Sequence, residues 1–158
     1  MQHTISALVE NKFGVLARVA GLFSSRGFNI TSLAVGETED PSVSRMTIVV
    51  DADERILEQV VKQLRRLIDV IKVQDLTACE TVERELVLIK VACTPASRGE
   101  ICELADIFRA KVVDVGGDAI TLEATGVADK IEAFVKLLRP YGVKELVRTG
   151  KISIVRSG

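Results

Sequence analysis

Hydrophobic and polar residues alternate from residue 3 to residue 10, and hydrophobic residues then recur at helical spacing from residue 15 to residue 25. The first pattern, with Ile5, Ala7 and Val9 on one side, predicts a strand with one buried face. The second predicts an amphipathic helix. The stretch SSRGF predicts its end, with Gly27 as a left-handed cap, and Gly21 within it is expected to permit close helix packing.

The next elements complete a βαββαβ order. FNITSLAVGE and SRMTIVVDA each predict a strand, and TEDPS between them has the composition of a turn. DADERILEQVVKQLRRLI predicts a second helix, with Asp51 or Asp53 as its N-cap. VIKVQDLT predicts a fourth strand.

The second half of the chain repeats this order. RELVLIKVAC, KVVDVGG, DAITLEATG and VKELVRTGKISIV predict strands, and SRGEICELADIFRA and VADKIEAFVKLLRPYG predict helices. Gly14 to Phe23 match Gly99 to Phe108 at an offset of 85 residues, and later positions match at an offset of 74. We expect two units, 1–77 and 78–158, each an antiparallel four-stranded sheet with two helices on one face and the other face uncovered.

Composition narrows the possible functions. A net charge of −1 gives no overall attraction to nucleic acid or anionic lipid, and no apolar run approaches the length of a membrane span. The N-terminal residues do not resemble a signal peptide, so a cytoplasmic location is expected. His3 is expected to be exposed at the start of a strand, and the cysteines Cys79, Cys93 and Cys102 to be reduced and mostly buried, with no metal site.

The loop ENKFG between the first strand and the first helix is a candidate anion site. Unpaired N–H groups at a helix N-terminus attract a carboxylate or a phosphate, and Gly14 lets a ligand approach the backbone. Neither GxGxxG nor GxxxxGK[ST] occurs here. With the amides of Asn11 and Asn29 and nearby apolar residues, the loop suits a small aliphatic amino acid. The alternative is that Asn11 only caps the helix and Gly14 only eases a turn.

The string ENKFGVLARVAGLFSSRGFNITSLAVGETEDPSVSRMTIVV closely resembles the start of the small, regulatory subunit of acetohydroxyacid (acetolactate) synthase. The resemblance continues through QLRRLIDVIKVQDLT, ERELVLIKV and VRTGKISIVRSG, and so extends over essentially the whole chain. It implies an α+β fold of two tandem ferredoxin-like βαββαβ domains. The first would be an ACT domain for amino-acid sensing and dimerisation, and the second would be the C-terminal domain of the small subunit.

The resemblance also implies a site shared by the two chains of a homodimer, which binds valine, leucine or isoleucine. One chain would supply the loop before the first helix and the other the start of the second strand. The implied effector-binding residues are Asn11, Phe13, Gly14, Val15 and Leu16 from the first chain, and Asn29 and Ile30 from the second. N–H groups near Gly14 would bind the carboxylate, and Asn11 and Asn29 the ammonium.

By the same resemblance the chain has no catalytic residues and no cofactor of its own. It would activate a large catalytic subunit that carries thiamine diphosphate, Mg²⁺ and FAD, and would confer feedback inhibition. At the offset used above, Ala96 and Asp114 replace Asn11 and Asn29, while Gly99 matches Gly14. The second unit is therefore expected to serve oligomerisation or contact with the large subunit.

Two other functions are compatible with the topology. In an acylphosphatase-like hydrolase, Arg18 and Asn11 would bind and polarise an acyl phosphate. RNA binding would need aromatic residues on the sheet, and the scarcity of aromatic residues (4%) and the balanced charge argue against it. Otherwise Arg18 and Arg26 are expected to be solvated or salt-bridged.

Overall fold

The computed structural model describes residues 1–158, and it contains nine strands and four α-helices. The strands are β1 (Gln2–Glu10), β2 (Asn29–Glu37), β3 (Val43–Asp51), β4 (Val70–Asp75), β5 (Thr81–Ala92), β6 (Lys111–Val115), β7 (Ala119–Gly126), β8 (Val143–Arg148) and β9 (Ile152–Val155). The helices are α1 (Val15–Arg26), α2 (Glu54–Arg66), α3 (Arg98–Ile107) and α4 (Ala128–Leu138), and a 3₁₀ turn follows at Arg139–Tyr141. None of the helices combines the length and the apolar character that crossing a membrane requires.

The first sheet has the strand order β2-β3-β1-β4, and its pairings are antiparallel. β1 lies in the middle, so its alternating residues Ile5, Ala7 and Val9 are buried against the helices, as predicted. The core also takes Val15, Val19 and Phe23 from α1 and a buried stripe from α2: Leu57, Val60, Val61 and Leu64.

The end of α1 and the start of α2 lie where local chemistry predicts them. Gly27 adopts a left-handed φ of 70° after α1, and its N–H bonds back to Phe23 and Ser24. Asp53, rather than Asp51, is the N-cap of α2, because its side chain accepts a hydrogen bond from Ile56 N at 2.8 Å. The prediction that Gly21 permits close helix packing is wrong, because a Cβ at this position would meet nothing within 4 Å.

The second sheet repeats the order as β6-β7-β5-β8, but it has five strands and not the predicted four, because β9 also pairs with β5. Val87, Ile89 and Val91 of β5 are buried beneath α3 and α4, together with Phe134 and Leu138. The two tandem ferredoxin-like units of the α+β class are thereby confirmed.

By its internal contacts the chain divides into two compact units, one of 1–82 with 151–158 and the other of 83–150. In the first of these, β9 lies near the start of β5, and the Arg156 amide donates to the Glu80 carbonyl at 2.9 Å. The assignment of amino-acid sensing to residues 1–77 and of a different role to residues 78–158 stays a prediction.

Two expectations for the first unit are wrong. His3 is 3% exposed, and neither ring nitrogen has a hydrogen-bond partner, because β1 is a central strand from its first residues. The sheet face turned away from the helices is also not open: Thr4, Ser6, Thr47 and Val49 are buried there. In the second unit the corresponding face keeps exposed apolar side chains, among them Val147.

Candidate effector site

The loop from residue 11 to 14 ends at Gly14, which has φ 84° and is the N-cap of α1 without a side-chain cap. Val15 N donates to Lys12 O at 3.4 Å, and Arg18 N donates to Gly14 O at 3.1 Å. The amides of Leu16 and Ala17 have no main-chain acceptor, and the first turn has no acidic residue. This helix N-terminus can therefore donate hydrogen bonds to a small anion.

Arg18 adds a cation beside this loop. A Cβ on Gly14 would lie 3.4 Å from Arg18 Nη1. Arg18 Nε and Nη2 are 2.7 and 2.6 Å from Asp69 Oδ2, so of the two predicted states, solvated or salt-bridged, Arg18 adopts the second. Sequence patterns gave no sign of Asp69, since it lies 51 residues away at the turn before β4.

Asn11 is held by the connection between β2 and β3. Its Nδ2 donates to Glu37 Oε1 at 3.1 Å and to Pro41 O at 2.9 Å, and its main-chain N donates to Ser42 O at 2.8 Å. Both side-chain N–H bonds are used, so Oδ1 is the atom left to accept a hydrogen bond from an ammonium group. Glu37, which no sequence pattern indicated, adds a carboxylate at the same place.

The remaining loop residues differ in what they offer. Phe13 is fully exposed (104%), and Leu16 is half-exposed. Val15 is buried in the core, so only its main chain can contribute to a site on the surface. Phe13 and Leu16 thus leave apolar side chains exposed at the loop and in the first turn of α1.

Asn29 and Ile30 are not near this loop within one chain. Asn29 pairs with Asp51 at one end of the sheet, whereas Glu37 pairs with Ser44 at the other end, where Asn11 is bound. Because β2 has 9 residues, these ends are about 26 Å apart. The two predicted walls of the site can therefore meet only if two chains supply them.

β2 is an edge strand, so its outer main-chain groups can pair with a second chain. In an antiparallel pair of two β2 strands, the start of one lies beside the end of the other. That arrangement would bring Asn29 of one chain toward Glu37, Asn11 and the loop of the other.

The second unit has a different loop before its first helix, α3, and the offset of 85 residues between the two units is wrong. Gly27 and Arg109 each follow the end of a helix with a positive φ, and Arg109 is the one non-glycine residue that has one. They are 82 residues apart. Phe28 N donates to Phe23 O, and Ala110 N donates in the same way to Ala105 O.

The corrected offset of 82 residues changes the equivalent positions in the second unit. It matches Asn11, Gly14 and Asn29 to Cys93, Ala96 and Lys111, in place of Ala96, Gly99 and Asp114.

The amides at this second helix start are bound only in part, because Gly99 N and Glu100 N have no main-chain acceptor. Ser97 N donates to Thr94 Oγ1 at 3.2 Å, and Arg98 N donates to Thr94 O at 3.0 Å. The second unit differs in charge, since the first turn of α3 contains Glu100, which would repel an anion, in place of the Asp114 that the sequence suggested.

The two tandem ferredoxin-like units are of the ACT type, and comparison with known proteins agrees. Residues 5–72 match the model of the AHAS small subunit-like ACT domain, and residues 84–157 match the small subunit of acetolactate synthase. The chain belongs to the family of acetolactate synthase small subunits.

Individual relatives agree along nearly the full length. A "probable acetolactate synthase small subunit" of Archaeoglobus fulgidus is 60% identical over 99% of this chain and 98% of its own. The acetolactate synthase small subunit of Mycolicibacterium smegmatis is 53% identical over 98% of this chain and 91% of its own. The crystal structure of the small subunit from Thermotoga maritima superposes with a TM-score of 0.91 at 43% identity, covering 100% of this chain and 99% of its own.

This membership makes the chain a regulatory subunit that partners a large catalytic subunit in branched-chain amino acid biosynthesis. The hydrolase alternative is not favoured, because Arg18 is paired with Asp69 and the amide of Asn11 is bound to Glu37 and Pro41.

Proposed function

We propose that two copies of this chain bind a branched-chain amino acid between their ACT domains and thereby change the activity of the large subunit. Valine is the expected effector, with leucine and isoleucine as the alternatives. The observation that carries the proposal is the position of Asn29, at the opposite end of the sheet from the anion-binding loop.

Each part of the amino acid has a matching group. Its carboxylate would accept hydrogen bonds from the free amides of Leu16 and Ala17, close to Arg18. Its ammonium would donate to Asn11 Oδ1 and Glu37, and to Asn29 of the second chain. Phe13, Leu16 and the second chain's Ile30 would enclose the aliphatic side chain, which favours branched-chain residues over polar ones.

The regulatory effect follows from a difference in affinity. An effector shifts a conformational equilibrium only if it binds one state more tightly than the other. A site completed by two chains meets this condition, because the amino acid binds only when both walls are in place. The chemistry itself would lie in the large subunit, with its thiamine diphosphate, Mg²⁺ and FAD, and this chain would raise its activity and make it sensitive to feedback.

Isothermal titration of the intact chain with valine, leucine and isoleucine tests the proposal. The 2-hydroxy analogue of valine is the control, because it keeps the carboxylate and the side chain but lacks the ammonium group. We expect saturable binding of at least one of the three amino acids and much weaker binding of the analogue. Absence of binding by all three would overturn the proposal, as would equal binding of the analogue.

The regulatory part is tested by assay of the large subunit. Its activity should rise when the small subunit is added, and valine should lower the activity of the complex but not that of the large subunit alone.

A further inference from the structure

The outer strand of the second sheet, β6, leaves one edge open. It is the first strand in the order β6-β7-β5-β8, and all five of its residues are exposed. An exposed strand edge presents unpaired N–H and C=O groups, and proteins usually cover or protect it.

Apolar side chains line this edge. Val112 and Val115 pair with the core residues Leu122 and Ile120, so they lie on the helix side of the sheet, yet they are 42% and 56% exposed. Ile107, at the end of the neighbouring α3, is 72% exposed. These three residues and Val113 form what we call the β6 patch, whose exposed apolar surface is typical of a protein interface.

The charges on the other side of β6 are self-complementary. Lys111 pairs with Glu123 and Asp114 pairs with Thr121, so a bulge at Val113 places both charged residues on the same side of the sheet. β6 has no other charged residue, and neither Lys111 nor Asp114 takes part in an ion pair in this structure.

We propose that β6 pairs antiparallel with β6 of a second copy of this chain, about a two-fold axis between Val112 and Val113. Lys111 of each copy then lies opposite Asp114 of the other, so the symmetry forms two ion pairs at once. On the helix side, the β6 patches of the two copies cover each other. This surface lies in the second unit and is independent of the effector site.

A second copy suits this edge better than an unrelated chain. An isologous interface must match itself, and one lysine and one aspartate at equal distances along the strand from the two-fold axis do so without any further residue. Opposite charges directly across a strand pair stabilise it, whereas like charges destabilise it.

A charge-reversal mixture tests the pairing with the full-length chain. In Lys111→Asp both charged positions of β6 become acidic, and in Asp114→Lys both become basic. Each variant alone should associate through this edge about tenfold more weakly, because two attractive pairs become repulsive. An equimolar mixture should recover the affinity, since every acidic strand then meets a basic one.

Hydrogen exchange of residues 111–115, followed by mass spectrometry over a range of chain concentrations, gives a readout confined to β6. Sedimentation velocity gives the assembly size. Glu103→Lys and Lys136→Asp, at exposed positions on α3 and α4, are the matched controls. The exchange of β6 should be unchanged both in each control variant alone and in their mixture.

Protection of β6 that falls in each variant and returns only in the mixture supports the proposal. Protection that is the same in every sample would overturn it, as would loss without recovery on mixing. It would also be overturned if the variants lost only their binding to the large subunit, because the edge would then serve that partner. Circular dichroism shows whether a charge-reversal variant has failed to fold. In that case Lys111→Ala and Asp114→Ala replace the charge reversals, and we expect weaker protection of β6 in both.

Discussion

Gly14 is the residue at which backbone conformation and ligand chemistry meet most closely. Its φ of 84° is unfavourable for residues with a Cβ, and its missing side chain leaves room beside the free amides of α1. Any replacement therefore strains the backbone, and only a negatively charged one also repels an effector carboxylate. Two substitutions at this position separate these effects.

Gly14→Asp should weaken valine binding at least about tenfold more than Gly14→Ala does, which corresponds to about 1.4 kcal/mol. Both variants share the strain of positive φ, so the difference reports the charge. Titration calorimetry measures the two affinities, and denaturant unfolding measures the shared loss of stability. If both variants bind valine equally, the carboxylate does not lie at this helix start.

Phe13 tests whether the exposed face of the loop becomes covered. Because its side chain is fully solvated in one chain, Phe13→Ala should change the free energy of unfolding of the chain at low concentration by less than about 0.5 kcal/mol. It should nevertheless weaken valine binding, because the ring would enclose the effector. Leu137→Ala, at a half-exposed position on α4, is the control and should leave binding unchanged. Unaltered binding in Phe13→Ala would remove this residue from the site.

At the scale of elements, the two glycines inside and after α1 have opposite roles. Gly21 lies in the helix with open space around it, whereas Gly27 ends the helix in a left-handed conformation.

Gly21→Ala should stabilise the chain by about 0.5–1 kcal/mol, because alanine has the higher helix propensity. Gly27→Ala should destabilise it by about 1 kcal/mol, since alanine disfavours positive φ. The midpoints of urea unfolding, with unchanged slopes, measure both. A stabilising Gly27→Ala would contradict the assigned cap.

Much of the fold could be predicted from the sequence, because strand and helix periods are local. The alternation in β1, the apolar stripe of α2 and the cap at Gly27 each depend on residues close in the chain, and each was confirmed. The burial of His3 was missed, because it depends on β1 lying between β3 and β4, which no local pattern encodes.

The candidate site shows the same limit. The free amides at the start of α1 follow from a loop and a glycine, so they could be predicted. Asp69 and Glu37 could not, because tertiary pairing brings them to Arg18 and Asn11. The matching of the two units failed because Gly99 lies inside α3, whereas the hydrogen bonds that end the helices fix the offset at 82.

In the whole molecule, the proposed effector site needs two chains to complete it. Asn29 and the loop of residues 11–14 lie at opposite ends of the same sheet, so a single chain presents both walls but cannot bring them together. A dimer would have two such sites, each built from the loop of one chain and the β2 start of the other.

Mixed dimers of Gly14→Asp and Asn29→Ala chains test whether each site is shared between two chains. In a mixed dimer one site receives both substitutions, and the other receives neither. Each variant alone should bind valine weakly at both of its sites. After random exchange of chains, calorimetry of the equimolar mixture should give about one site of unaltered affinity for every four chains. A mixture that binds valine no better than the two separate variants would contradict a site shared between chains.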